Sequence, residues 1–225
     1  MNWEKSCNIP DLSNNRESTV ILYSTKTRAN PIAFREMLTL EELTYSERLR
    51  DEGQRRTWLS CRTTLRLILG SYLRKKPREI EFKIGRFGKL YLPGDNLFFN
   101  VSHSNDAFLL GFCFGGKIGV DIEMLKGSED LPSMVDYAFS EDEALFCSYG
   151  KNHERFTEIW TLKEAFLKAA GVGLVNRLTS VTVSGNVKND ILRHQLNHKT
   201  FLCPHGETGS LVYRNNNLLK FTWLT

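Results

Sequence analysis

The sequence predicts an α+β protein whose two halves have similar element content. Three observations carry this. Strand and helix patterns run as strand, helices, strands, then helices and strands again, not as a regular βαβ series. No low-complexity linker divides the halves. The 225 residues suffice for one large domain or two small ones with a real core.

Each element has its own signal. "STVILYST" near residue 20 alternates and is β-branched, which predicts a strand. "LTLEELTYSERLRDEG" predicts a helical stretch, with Thr39 as N-cap and Glu42 three residues on. "QRRTWLSCRTTLRLILGSYLRKK" predicts an amphipathic helix ending at Pro77. Its apolar stripe is Trp58, Cys61, Leu65, Ile68, Leu69 and Tyr72, with Arg55, Arg56, Arg62 and Arg66 mostly off it. In the β-rich middle, "EIEFKI" alternates, "GRFGK" turns and "LFFNVSHS" runs from strand into loop. "AFLLGFCF" and "KIGVDIE" flank Gly115-Gly116, a two-residue hairpin signal. "SEDEALFCSY" and residues 156 to 170 predict helices, and "SVTVSG", "TFLCP", "GSLVYR" and "LLKFTWL" predict late strands.

Composition narrows the class. Apolar residues make up 41% and charged residues 25%, ordinary for a soluble globular chain. "MNWEKSCNIPDLSNN" does not read as a signal peptide, and "AFLLGFCFGG" is too short to span a bilayer. A soluble protein is expected. Five scattered cysteines without C-x-x-C fit a reducing compartment and free thiols. His194, His198, Cys203 and His205 form a weak zinc pattern, for which solvated loop histidines are the simpler account. Residues 48 to 89 hold thirteen Lys or Arg against four Asp or Glu, so the partner of that segment should be anionic.

Three segments carry candidate chemistry. In "GVDIE", strand alternation sends Val120 and Ile122 to a core and Asp121 and Glu123 to the other face, ~6–7 Å apart. Two such carboxylates suit Mg²⁺, although a solvated strand face has the same pattern. In "FNVSHS", Ser102, His103 and Ser104 can hold phosphate oxygens or simply cap a turn. In "WTLKEAFLKAAGVGL", one helix side carries Ile159, Leu162, Ala165, Phe166 and Ala169. The other carries Trp160, Lys163, Glu164, Leu167 and Lys168. Gly171 suits a C-cap, and Gly173 would let backbone approach closely.

In this order and spacing, the three segments resemble the signature motifs of the 4′-phosphopantetheinyl transferases, and the length points to the Sfp type. The resemblance spans residues 99 to 174, with weaker likeness back through "FGKL" to the basic helix near residue 56. It implies two similar α+β halves related by a pseudo-twofold, 1–114 and 115–225, with coenzyme A between them in a monomer. It also implies a reaction. A serine of an apo acyl or peptidyl carrier protein attacks the β-phosphate of coenzyme A. The phosphopantetheine arm moves to that serine, and adenosine 3′,5′-bisphosphate leaves.

Carried over by motif, Asp121, Glu123 and Glu164 are the Mg²⁺ ligands. Glu164 is the base, directly or through a metal-bound water, and Lys168 neutralises diphosphate charge. His103 and Ser102 hold phosphate oxygens of coenzyme A, with Gly88, Lys89 and Lys163 also assigned to its binding. The family's "GKP" loop reads Gly88-Lys89-Leu90 here. For the 3′-phosphate the candidates are Arg48, Arg50, Arg55 and Arg56, with Arg56 first. The expected setting is the cytoplasm, without nucleic acid or membrane partners. A nucleic-acid-binding module using residues 54 to 76 is the main rival, but no groove-reading motif accompanies its arginines. The stretch Leu125 to Phe139 is expected either to dock the carrier or to pack inward.

Overall fold

The chain is described from a computed structural model, which covers residues 18–25, 35–124, 131–148, 152–173, 178–183, 190–214 and 218–224. Its first sheet has the order β4-β5-β1-β9, built from β1 (Ser18–Thr25), β4 (Leu97–Ser104), β5 (Ala107–Phe114) and β9 (Leu218–Leu224). β1 is antiparallel to β5 and parallel to β9. A small hairpin pairs β2 (Lys83–Ile84) with β3 (Leu90–Tyr91). The second sheet has the order β6-β8-β7, from β6 (Ile118–Met124), β7 (Asn197–Leu202) and β8 (Glu207–Tyr213). These sheets and the helices make an α+β architecture, as expected.

Helix α1 (Leu40–Glu47) starts at the expected capping box, with Thr39 and Glu42 bonding each other's backbone amides. Helix α2 (Glu52–Leu73) starts at Asp51, which accepts from the Gln54 amide. Its buried stripe of Cys61, Leu65, Ile68 and Leu69 packs on Phe99, Phe108, Leu110 and Phe112 of the first sheet. β5 is apolar on both faces. Phe108, Leu110 and Phe112 face α2, while Ala107, Leu109 and Cys113 join Ile118, Val120, Ile122 and Leu211 in a core between the sheets.

Helix α5 (Asn152–Ala170) lies across β6 and β8. It buries Phe156, Ile159, Leu162, Phe166 and Leu167, on the order of 10 kcal/mol of gross apolar burial. Gly119 permits this approach. A Cβ there would sit 1.9 Å from the Ala165 carbonyl oxygen. Helices α3 (Leu131–Ala138) and α4 (Glu141–Ser148) cover the same core, and a short α6 (Asp190–Arg193) precedes β7. Leu131, Met134 and Val135 pack against that core, so of the two expectations for this stretch the inward one holds for them. Leu125 and Lys126 lie outside the described residues.

The structure corrects several local expectations. Gly115-Gly116 is not a hairpin turn, because β5 pairs with β4 and β1 while β6 pairs with β8. The glycines turn a corner between sheets. "EIEFKI" yields only the two-residue β2, after a 3-10 turn at Pro77–Glu79. "SVTVSG" forms no strand over residues 181–183; residues 184–185 lie outside the described set. β4 continues as strand through Ser104. Strand β9, late in the chain, completes the sheet of β1, β4 and β5. Among the described residues no helix is long and apolar enough to cross a membrane. Cys61, Cys113, Cys147 and Cys203 are all buried.

Candidate active site

The two sheets meet edge to edge at β4 and β6, and side chains of β4 stand in for a backbone ladder. Asn100 Oδ1 accepts from the Val120 amide at 2.8 Å, and Ser104 Oγ from the Met124 amide at 3.4 Å. The hydroxyls of Ser102 and Ser104 donate to Asp121 at 2.7 Å and Glu123 at 2.8 Å. Alternation on β6 thus works as expected: Val120 and Ile122 enter the core, and Asp121 and Glu123 face the seam.

A cleft of about 600 Å³ opens over this seam. It gathers Ser102 and His103 from β4, Asp121 and Glu123 from β6, and Glu164 and Lys168 from α5, together with Gly88 and Lys89. Lys168 Nζ donates to Asp121 Oδ1 at 2.6 Å and to Ser102 Oγ at 3.1 Å. Asp121 is 3% exposed, and its Oδ2 is buried without a partner. A buried, unpaired carboxylate oxygen needs a donor or a cation.

The electrostatics follow from that crowding. Burial raises the Glu164 pKa above the ordinary carboxylate range, and Asp121 and Glu123 add to the rise against Lys168. Burial, with Lys168 nearby, lowers His103 below its ordinary 6.5. Lys89 is pushed down to about 8 by burial, then by Lys117 and Lys168. Cys61, also on the cleft wall, is pushed up to about 12 by burial, so its thiol is unionised at neutral pH.

Not every expected residue arrives. Lys163 is a correction. It is 2% exposed and bonds Glu143 Oε2 and the Ala138 carbonyl, each at 2.5 Å, away from the cleft. Helix α5 is therefore buried on the flank expected to be charged; Leu167 is 2% exposed as well. Arg56 and Arg48 also lie outside the cleft lining. Arg56 is 63% exposed beside Glu52, and Arg48 is the exposed C-cap of α1.

The arginine on the cleft wall is Arg62, which sequence reasoning passed over. It stands one turn beyond Trp58, its guanidinium 5.3 Å from the Trp58 ring and 5.5 Å from the Phe82 ring, with Glu42 at 3.5 Å. The available signal was its i,i+4 relation to Trp58, which also lines the cleft. Trp160, on the cleft wall, stacks on Phe156 of its own helix, and Phe156 in turn stacks on Phe139 outside that helix. Gly171, at φ +73°, caps α5 as expected.

Among the described residues no three His, Cys, Asp or Glu side chains form a ready metal cage. That covers His194, His198, Cys203 and His205. It covers the three carboxylates too, whose Asp121 is engaged by Lys168.

A basic and acidic cleft of this kind is suited to a polyphosphate carrying a hard cation. Residues 117–218, which carry β6 and α5, match the 4′-phosphopantetheinyl transferase superfamily. It is 35% identical over 145 residues to the 4′-phosphopantetheinyl transferase HetI of Nostoc sp., covering 61% of each chain. It is 34% identical over 154 residues to a phosphopantetheinyl transferase of Thraustochytrium sp., covering 61% of this chain and 54% of the relative. The matches thus span less than two thirds of these relatives' lengths. The holo-[acyl-carrier-protein] synthase of Thermotoga maritima shares 18% identity over 44% of this chain and 62% of that chain, with a TM-score of 0.34.

Proposed function

We propose that the chain transfers 4′-phosphopantetheine from coenzyme A to a serine of an apo acyl or peptidyl carrier protein, as a transferase of the Sfp type with halves 1–114 and 115–225. The observation that carries this reading is the convergence of Asp121, Glu123, Glu164 and Lys168 on one seam, with Asp121 Oδ2 buried and unpaired. The match of residues 117–218 to the 4′-phosphopantetheinyl transferase superfamily supports it.

The residues fit a divalent cation. Asp121, Glu123 and Glu164 would hold Mg²⁺, which supplies charge neutralisation to a diphosphate when bound. Lys168, already 2.6 Å from Asp121, adds a second positive charge beside the same oxygens. His103 and Ser102 sit where phosphate oxygens can be held, and Arg62 replaces Arg56 as first candidate for a further phosphate. Glu164, with its raised pKa, accepts the proton of the attacking serine hydroxyl. A bond then forms from serine Oγ to the β-phosphorus, and the bond to the bridging oxygen breaks. That oxygen leaves on adenosine 3′,5′-bisphosphate.

The partners in this reading are coenzyme A and a carrier protein, with neither nucleic acid nor membrane, in a cytoplasmic monomer. The test is intact-mass analysis of apo fatty acid, polyketide and peptide carriers after incubation with the chain, coenzyme A and Mg²⁺. A gain of one phosphopantetheine on at least one carrier, lost in Glu164→Gln, is expected. No gain on any carrier class would refute the reading.

A further inference from the structure

The loop between β2 and β3 belongs to the first half, yet it is fastened to the second half at two points. Lys89 Nζ donates to the Ile118 carbonyl at 2.7 Å and to the Lys168 carbonyl at 2.6 Å. The first carbonyl is on β6, an edge strand whose other side pairs with β8. The second lies in the last turn of α5, where carbonyls lack helical partners and attract a cation. Lys89 is thus a cap on α5 supplied from the other half. The second fastening is Phe87. A Cβ on Gly173, at φ +70°, would sit 2.9 Å from the Phe87 side chain, so the ring rests where only a glycine leaves room.

Between the two fastenings is Gly88, which lines the cleft. The loop is closed within itself as well, by Gly85 N to Lys89 O at 2.8 Å and Gly88 N to Gly85 O at 3.0 Å. A closed loop pinned on both sides of one residue holds that residue's backbone rigidly. The anchor is the helix that carries Glu164 and Lys168.

We infer that Phe87 and Lys89 are positioning residues: they clasp the β2–β3 hairpin onto the end of α5, fixing the distance between the cleft wall at Gly88 and the charged groups Glu164 and Lys168. The inference deepens the proposed function, on which its kinetic consequence rests. A ligand that spans from the diphosphate site to the Gly88 wall needs that distance set before it binds. Without the clasp the wall and the charges move independently, and binding must restore their spacing. The loss therefore falls on affinity for coenzyme A, while the reacting groups on β6 and α5 stay together.

The test uses the full chain with Lys89→Met, Lys89→Arg and Phe87→Ala, each checked by circular dichroism and thermal melting. Two readouts are taken. Hydrogen exchange without ligand should quicken in Lys89→Met both at residues 83–91 and at the end of α5 around 169–173. Lys89→Arg, which can still donate to two carbonyls, should restore both. In turnover, Lys89→Met and Phe87→Ala should raise KM for coenzyme A about tenfold while kcat falls much less. Unchanged exchange at either segment in Lys89→Met overturns the clasp. So does a collapsed kcat at unchanged KM, or an arginine variant that restores exchange but not KM. If Lys89→Met fails to fold, Phe87→Ala decides by the same two readouts. If the unaltered chain does not use coenzyme A, the proposed function fails, and the exchange measurements still decide whether the clasp exists.

Discussion

Removing the ammonium of Lys163 should destabilise the protein far more than removing a surface charge. Lys163 is 2% exposed and Glu143 is fully buried, and they meet at 2.5 Å. Burial pulls the lysine pKa down while Glu143 pushes it back up. Glu143 also accepts from the amides of Val183 and Ser140, each at 2.9 Å, so it ties α4, residue 183 and α5 together. Lys163→Met keeps the stem and deletes the charge. The carboxylate then stays buried without its counter-ion, and the Ala138 carbonyl loses its donor. Breaking a buried pair from one side costs about 3–5 kcal/mol. For a chain of this length that lowers Tm by roughly 6–20 °C. The assay is urea unfolding of Lys163→Met, Glu143→Gln and the double variant. Each single change leaves one charge stranded and the double change leaves none. The cycle should therefore show a coupling of at least ~2 kcal/mol. Single losses that add to within ~0.5 kcal/mol would refute the buried-pair reasoning.

Gly119→Ala should push α5 off β6, since the new methyl meets the Ala165 carbonyl oxygen at 1.9 Å. A loss of ~1–3 kcal/mol in urea unfolding is expected, with catalysis falling as Glu164 shifts from Asp121. His103, held below 6.5, is neutral at pH 7, and a bound phosphate favours its charged form. Calorimetry should show coenzyme A binding more tightly as pH falls from about 8 to about 6, and His103→Asn should flatten that dependence. Arg62→Ala should raise KM for coenzyme A about tenfold or more, by losing a charge-assisted bond. Arg56→Ala, on an exposed side chain outside the cleft, should leave it within about twofold.

The carboxylates and the lysine that line the cleft were legible because each sits on a regular element with a known period. Alternation put Asp121 and Glu123 on one face of a strand, and helical spacing put Glu164 and Lys168 together. Both relations hold in the cleft. What was not legible depends on partners distant in the chain. Lys163 looked like a third charge for the site because its partner, Glu143, lies twenty residues earlier on another helix. Arg62 looked peripheral because the stripe of α2 was drawn for one core. The helix also borders a cleft whose far wall, from Asp121 to Lys168, comes from β6 and α5. Gly115-Gly116 carries the turn chemistry of a hairpin, and local chemistry does not say whether the strands on either side pair with each other. Here each finds a longer-range partner.

Among the described strands, the last in sequence joins the sheet that contains the first. β9, at residues 218–224, lies parallel to β1, at residues 18–25. During synthesis the second sheet holds all three of its strands before β9 emerges, while the first sheet still lacks its outermost member. Until then β1 is an edge strand with unpaired amides and carbonyls, open to another chain. The usual order, in which the N-terminal unit folds first, is therefore reversed at its final step. A nascent chain, or one cut before residue 218, should be the aggregation-prone species, and removing β9 should expose the sheet of β1 more than that of β6.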